Sequence, residues 1–192
     1  DYVTNGQNCA NMWVSGDTMV VAYFGADMGD PTGTTTRVAY YVVSTDKGVT
    51  WGTPLPLTSL PRRSAYPFLV PYVNGIGRNI GFSGRLYTAP GPGATGGGAY
   101  TDAFFGLGSI TATQNPNSNR DYFTASIGGE LMGGIAGIAG AVSDTLNFWK
   151  FDMSTNTFTA TTPVAVEGVD MIDVNVRWQF ASNPTGSHMT AM

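Results

Sequence analysis

Charge is scarce in this 192-residue chain. Asp, Glu, Lys and Arg together make up 11% of it, against roughly 25% in an average soluble domain. Lys47 and Lys150 are the only lysines, Arg62-Arg63 is the one basic doublet, and the formal net charge is −4. A surface so poor in cations cannot neutralise a run of phosphates, which argues against nucleic acid as a partner. The single cysteine, Cys9, excludes a disulfide within the chain and leaves the redox compartment open. The single histidine, His188, leaves almost no material for a zinc site or a Ser-His-Asp triad. The most apolar stretch, "LMGGIAGIAGAV" (131–142), is too short and too rich in glycine for membrane insertion. Phosphate-binding and dinucleotide-binding glycine fingerprints are missing, and no window keeps the 3.6-residue apolar period of a surface helix.

Gly, Thr, Ser and Asn stand where Lys and Glu would be, and they favour turns and strands over exposed helices. Short runs of Val, Tyr, Phe, Ile and Thr, such as "TMVVAYFGA", "RVAYYVVS" and "TLNFWKFDM", recur between turn clusters such as "SGD", "VNGIGRN" and "APGPGATGGG". Asn and Gly in these clusters accept positive φ, and Pro presets the bend. The pattern predicts an all-β chain. The runs fall into groups of three or four, over about 10–58, 64–113 and 121–166, with a fourth beginning near 170. The period of about fifty residues is that of propeller blades. The Gly-rich "GGIAGIAGA" (133–141) fits a crowded strand near the centre of such a ring.

Each group closes alike: an apolar strand enters a polar turn and returns through Thr and an aromatic. The first such corner, "STDKGVTW" (44–51), matches Ser-x-Asp-x-Gly-x-Thr-Trp at all five fixed positions: Ser44, Asp46, Gly48, Thr50 and Trp51. This resembles the Asp-box, or BNR repeat, of sialidase-like β-propellers. The resemblance implies a hairpin between the last two strands of a blade. Asp46 would accept turn amides, Gly48 would supply an unusual backbone angle, and Trp51 would seal the corner between neighbouring blades. The family keeps this motif away from its central pocket, so Asp46 is expected to be structural. "FDMSTNTFT" (151–159) resembles the corresponding hairpin of kelch-type blades, with Phe158 for the usual Trp. "FFGLGSITAT" should hold the middle corner, although its signature is worn away. Three blades and the start of a fourth fall short of the usual four to eight of a closed ring. The chain is accordingly expected to be part of a larger propeller, to assemble with neighbouring subunits, or to close with a short fourth blade.

The resemblance also implies an arginine triad, a Tyr–Glu nucleophile pair and an Asp acid. The early Arg-Ile-Pro motif of that family is missing, and "RRSAYP" (62–67) follows the Asp-box where the motif should precede it. Arg63, Arg78, Arg85 and Arg177 are the arginines available to a pocket, with placement on the surface the favoured reading. Glycoside hydrolysis in general needs two carboxyl groups across the scissile bond. Glu130 and Glu167 are the only glutamates, and Asp102 and Asp173 lie in strand-like runs. Asp102, Asp173 and Glu130 are therefore the catalytic candidates, each with a hydrogen-bonded strand residue as its alternative. Arg63, Arg85, Tyr87 and Tyr100 are the ligand-binding candidates, and Tyr23, Tyr87 and Tyr100 either stack on sugars or fill space between sheets. Asp27 and Asp30 in "GADMGDPTG" form a solvated turn or a calcium site. No other cofactor or metal is expected.

The chain opens on Asp1, as a processed or recombinant product would. "GSHM" (186–189) reads as a tag-cleavage remnant or as native sequence. Three functions follow: an extracellular or cell-surface propeller that binds a glycan or an extracellular protein without catalysis of its own, a sialidase-like glycoside hydrolase, or a structural subunit of an extracellular assembly.

Overall fold

The computed structural model describes residues 12–30, 35–74, 77–87, 95–102, 104, 106–114, 122–127, 130–136, 145–152, 155–160, 164–165, 180–182 and 189–191. Among these residues there is no helix. The first sheet takes β1 (Met12–Ser15), β2 (Thr18–Gly25), β3 (Val38–Ser44) and β4 (Leu55–Pro56), paired antiparallel in chain order. The second repeats that order with β5 (Ser64–Asn74), β6 (Gly77–Tyr87), β7 (Thr95–Asp102) and β8 (Thr111–Gln114). The third holds β9 (Tyr122–Ile127), β10 (Glu130–Ala136), β11 (Thr145–Asp152) and β12 (Thr157–Ala160), with β13 (Val164–Ala165) also on β11. A two-stranded sheet joins β14 (Phe180–Ser182) to β15 (Met189–Ala191). Neighbouring sheets are packed through their first strands: β5 lies against the first sheet, β9 against β5 and β6, and β14 against β9. Up-and-down sheets packed side by side in sequence order form a β-propeller architecture.

Alternation drives the packing. Along β2 every second residue, Val20, Ala22 and Phe24, is buried, because successive side chains of a strand point to opposite faces. Ala39 and Tyr41 of β3 join that face. They meet Leu57 from the connection to β5, Ala65 and Leu69 from β5, and Tyr100 from β7. Val20, Tyr41, Leu57 and Tyr100 are 0–1% exposed, and each contributes about 1.5–3 kcal/mol by leaving water. β5 tolerates Pro67 and Pro71 because it is the outermost strand of its sheet, where a missing N–H breaks no ladder. Its register shifts between Ala65 and Phe68, around Pro67.

Every full sheet turns from its third strand to its fourth around an aspartate. In the first, Ser44 donates to Asp46 Oδ1 and accepts from the Gly48 amide, both at 2.8 Å, and the Thr50 amide and hydroxyl donate to the two Asp46 oxygens at 2.8 and 2.5 Å. Lys47 and Gly48 take φ of 61° and 85°, a region glycine enters freely and residues with a Cβ resist. In the second, Asp102 Oδ2 accepts from the Gly108 amide at 2.8 Å. Gly108 has φ 74°, and a Cβ there would sit 3.0 Å from a Leu55 methyl. The 102–108 corner is thus pressed onto the first sheet. In the third, Asp152 accepts from the Thr155 amide at 3.4 Å, and the Phe151 and Phe158 rings lie 4.6 Å apart over Ala99 of the second sheet.

Trp51 departs from expectation. It does not wedge between sheets: it is 42% exposed, and its ring lies over Gly48 of its own turn. The reason is the brevity of β4, which pairs only at Leu55 and Pro56 and leaves Trp51 beyond the end of the ladder. The slot it was expected to fill is taken by Val43 and Leu55, against which Gly106 and Gly108 of the second sheet close. Hydrogen bonds from Thr50, then from Ser44, pull the Asp46 carboxyl down to about 2 from 3.8. A depressed carboxyl stabilises the fold above its ordinary range and loses that contribution as pH falls toward the folded value. Acid titration of folding stability should therefore show a loss between about pH 4 and 2, and Asp46→Asn should remove that part of the profile. An unchanged profile in the variant would disprove the role.

Candidate functional site

Antiparallel alternation gives each sheet two ends. The β1–β2 turn and the β3–β4 corner share one end, tied by the Lys47 amide to the Asp17 carbonyl at 2.9 Å. The Lys47 ammonium also meets the Asp17 carboxylate at 3.3 Å, with both side chains largely exposed, a pairing that contributes little. The opposite end carries the β2–β3 loop and the connection from β4 to β5.

At that opposite end the backbone is held by two polar hubs. Asp30, 8% exposed, places Oδ2 against the amides and hydroxyls of both Thr35 and Thr36 at 2.8–3.1 Å. The Asp27 amide donates to the Thr36 hydroxyl at 2.9 Å. Asp30 is therefore not part of a solvated turn: its Oδ2 is turned toward N–H and O–H donors. Among the described residues no group of three or more His, Cys, Asp or Glu side chains converges as a metal site. Ser64, fully buried, is the second hub. Its hydroxyl accepts from the Ala39 amide and pairs with the Thr58 hydroxyl, each at 2.8 Å, and its amide donates to the Arg37 carbonyl at 3.2 Å.

This frame brings three arginines into one loop cluster. Arg37 is half-buried, with its guanidinium 5.8 Å from the Phe24 ring centroid, within cation–π range. Arg62 is half-buried, and its amide donates to the Ser59 carbonyl at 3.0 Å. Arg63, expected in a pocket or on the surface, is instead 2% exposed and among the largest fully buried side chains. A guanidinium on a fixed backbone offers a planar fork of donors to hydroxyl or carboxylate oxygens. Arg37 went unnoticed in the sequence. The available signal was a cation between a Thr cluster and a strand, "TTTRVAYY".

The other candidates are dispersed. Tyr100 is not an exposed platform: it stands on β7, fully buried, and fills the space between the first two sheets. Asp102 ends β7, the third strand of its sheet, 1% exposed. It accepts a short hydrogen bond from the Tyr41 hydroxyl, which in turn accepts from the Gly106 amide at 3.1 Å. It thus sits at an inter-sheet corner and not on the first strands that pack one sheet against the next. Burial, then the bond to Asp102, pushes the Tyr41 phenol well above its ordinary range. Glu130 begins β10, and Arg78, Arg85 and Tyr87 lie on β6. Gly133–Ala136 of the Gly-rich stretch belong to β10. Asp173, Arg177, Glu167 and residues 137–141 lie outside the described residues.

No family model matches the chain, and no curated protein matches it. Solved structures do match. Among them is the alpha-L-arabinanase of Penicillium chrysogenum, solved in complex with arabinobiose, at 11% sequence identity and a TM-score of 0.55. The likeness covers 93% of this chain and 50% of the arabinanase, so the chain spans about half the length of that β-propeller. At this identity the likeness establishes the fold.

Proposed function

We propose that this chain is a carbohydrate-binding β-propeller module, extracellular or at the cell surface, that meets its ligand at the end built from the β2–β3 loop and the β4–β5 connection. The observation that carries the reading is the half-buried pair Arg37 and Arg62 there, on a backbone that Asp30 ties at Thr35 and Thr36 and Ser64 ties at Arg37 and Ala39. Binding to such a frame loses little conformational freedom. The structural likeness to a protein crystallised with arabinobiose supports a sugar as the ligand class. The hydrogen-bonded corner at Ser44–Thr50 supports the finer kinship with Asp-box, sialidase-like propellers, and it lies at the opposite end. A hydrolytic reading, motivated by the same likeness, would need a carboxylate pair that Asp102 alone does not supply.

A glycan array that includes arabino-oligosaccharides and sialosides tests the proposal, followed by calorimetry on the hits. Arg62→Ala should weaken a hit about tenfold or more, since a hydrogen bond from a charged donor contributes about 1.5–3 kcal/mol. Lys47→Ala, at the far end, should leave affinity unchanged. Affinity lost with Lys47 and kept without Arg62 would refute the placement, and an array without hits would refute the ligand class. Turnover of chromogenic glycosides by the chain, abolished by Asp173→Asn, would favour the hydrolase.

A further inference from the structure

Two tyrosines stand opposite each other on the first sheet: the register pairs Tyr23 of β2 with Tyr40 of β3. Directly paired side chains leave their strands on the same face, with Cβ atoms about 4.5–5.5 Å apart. Being the same residue type, the two reach equally far, so their rings come level. The ring centroids lie 5.7 Å apart, with planes 23° apart. Both side chains are partly buried and partly open to solvent. Burial, then the neighbouring Tyr40, raises the Tyr23 phenol above its ordinary range, so the two phenols lie close enough to act on each other. Tyr41 and Tyr100, by contrast, are fully buried, and the Tyr41 hydroxyl is committed to Asp102.

We propose that Tyr23 and Tyr40 form an oxidative cross-linking site that joins β2 to β3 through a dityrosine bond. The oxidant class is a haem peroxidase turning over hydrogen peroxide. It takes one electron and one proton from each phenol. The two radicals then join through a carbon–carbon bond between the ring positions ortho to their hydroxyls, a Cε atom of Tyr23 and a Cε atom of Tyr40. The proton on each joined carbon moves through solvent to the oxygen of its own ring, which restores both phenols. The pair loses two hydrogens in all, and one hydrogen peroxide becomes two waters. The paired register does what the reaction needs, because it holds two radicals level with each other before either meets another molecule. With one cysteine the chain forms no internal disulfide. A bond between Tyr23 and Tyr40 supplies a covalent staple of another kind, and such a link limits the freedom of the unfolded chain. The inference is independent of the carbohydrate reading, which concerns the loop end.

Treatment of the dilute chain with a haem peroxidase and limiting hydrogen peroxide tests it. The monomer should lose the mass of two hydrogens and gain blue dityrosine fluorescence. That loss is distinct from the added oxygen of a sulfoxide at the fully exposed Met28. Trypsin cuts after Arg37, between the two tyrosines, so the peptide ending at Arg37 should stay bound to the one ending at Lys47, and fragmentation should place the bond at Tyr23 and Tyr40. Tyr23→Phe and Tyr40→Phe keep the ring and its packing. Each should lower the yield of the linked peptides at least tenfold. A wild-type chain that gives no linked peptides would overturn the proposal. So would linked peptides that persist in Tyr40→Phe, or dityrosine found only between separate molecules.

Discussion

Tyr100→Ala is expected to lower the unfolding free energy by about 3–5 kcal/mol, the range for emptying a fully buried aromatic site. Against a total of about 5–15 kcal/mol for a native domain, that is enough to leave a large unfolded fraction. Tyr100 is 0% exposed and touches residues of both first sheets, so the cavity opens at the junction where the two sheets hold each other. Trp51→Ala provides the contrast. The larger ring is lost, but from a position 42% exposed against its own turn, and the cost should stay near 1 kcal/mol or below. Urea midpoints at unchanged slope measure both. Equal losses would mean that Trp51 seals an inter-sheet slot after all.

Asp102→Ala should come next, at about 1–3 kcal/mol, because it strands the buried Tyr41 hydroxyl and also removes the acceptor of the Gly108 amide, which lies nearer solvent. Asp102→Asn should cost less, since an amide oxygen can still accept both. The Oδ1 atom of Asp102 is buried without a protein partner, so the amide replacement breaks no bond on that side. A double-mutant cycle with Tyr41→Phe should return a coupling of about 1–3 kcal/mol, as contacting members of one network do. The pH dependence has a definite sign. Tyr41 is raised above its ordinary value of 10.0, first by burial and then by Asp102. Its contribution is therefore complete below pH 10 and is lost as the solution becomes more alkaline. In Tyr41→Phe that alkaline loss should be absent. A cycle that closes without coupling would remove Asp102 from the corner.

How much of this was legible in the sequence depends on the corner. At 44–51 every residue that makes a hydrogen bond sits in a compact, spaced pattern, and the local order is readable because Asp46 binds partners within four residues. The corner at Asp102 uses the same device over a longer loop. Its partners are Gly108, six residues on, and Tyr41, on another sheet. A local pattern cannot show a hydrogen bond across sixty residues, so the sequence left Asp102 between a catalytic carboxylate and a hydrogen-bonded strand residue. Tyr100 was left between a sugar platform and a filler between sheets, and its complete burial selects the second. "GGGAYTD" is rich in turn-forming glycine, yet Gly96, Gly97 and Gly98 face Leu86, Arg85 and Gly84 in a regular ladder. Strand rhythm carried the fold well, because alternation is a local property. The cluster of Arg37, Arg62 and Arg63 was out of reach, because it forms only when the start of β3 and the start of β5 share Ser64.

The Asp30 clasp has an evolutionary corollary. One carboxylate oxygen fastens Thr35 and Thr36 back onto the start of the same loop, so the two ends of the loop are joined at Asp30. Doubling a loop held in this way adds only about 0.6 kcal/mol of closure entropy. Insertions between Asp30 and Thr35 should leave the scaffold intact, making this the position at which related chains can diversify in size, and at which a foreign epitope can be displayed, without disturbing the sheets below.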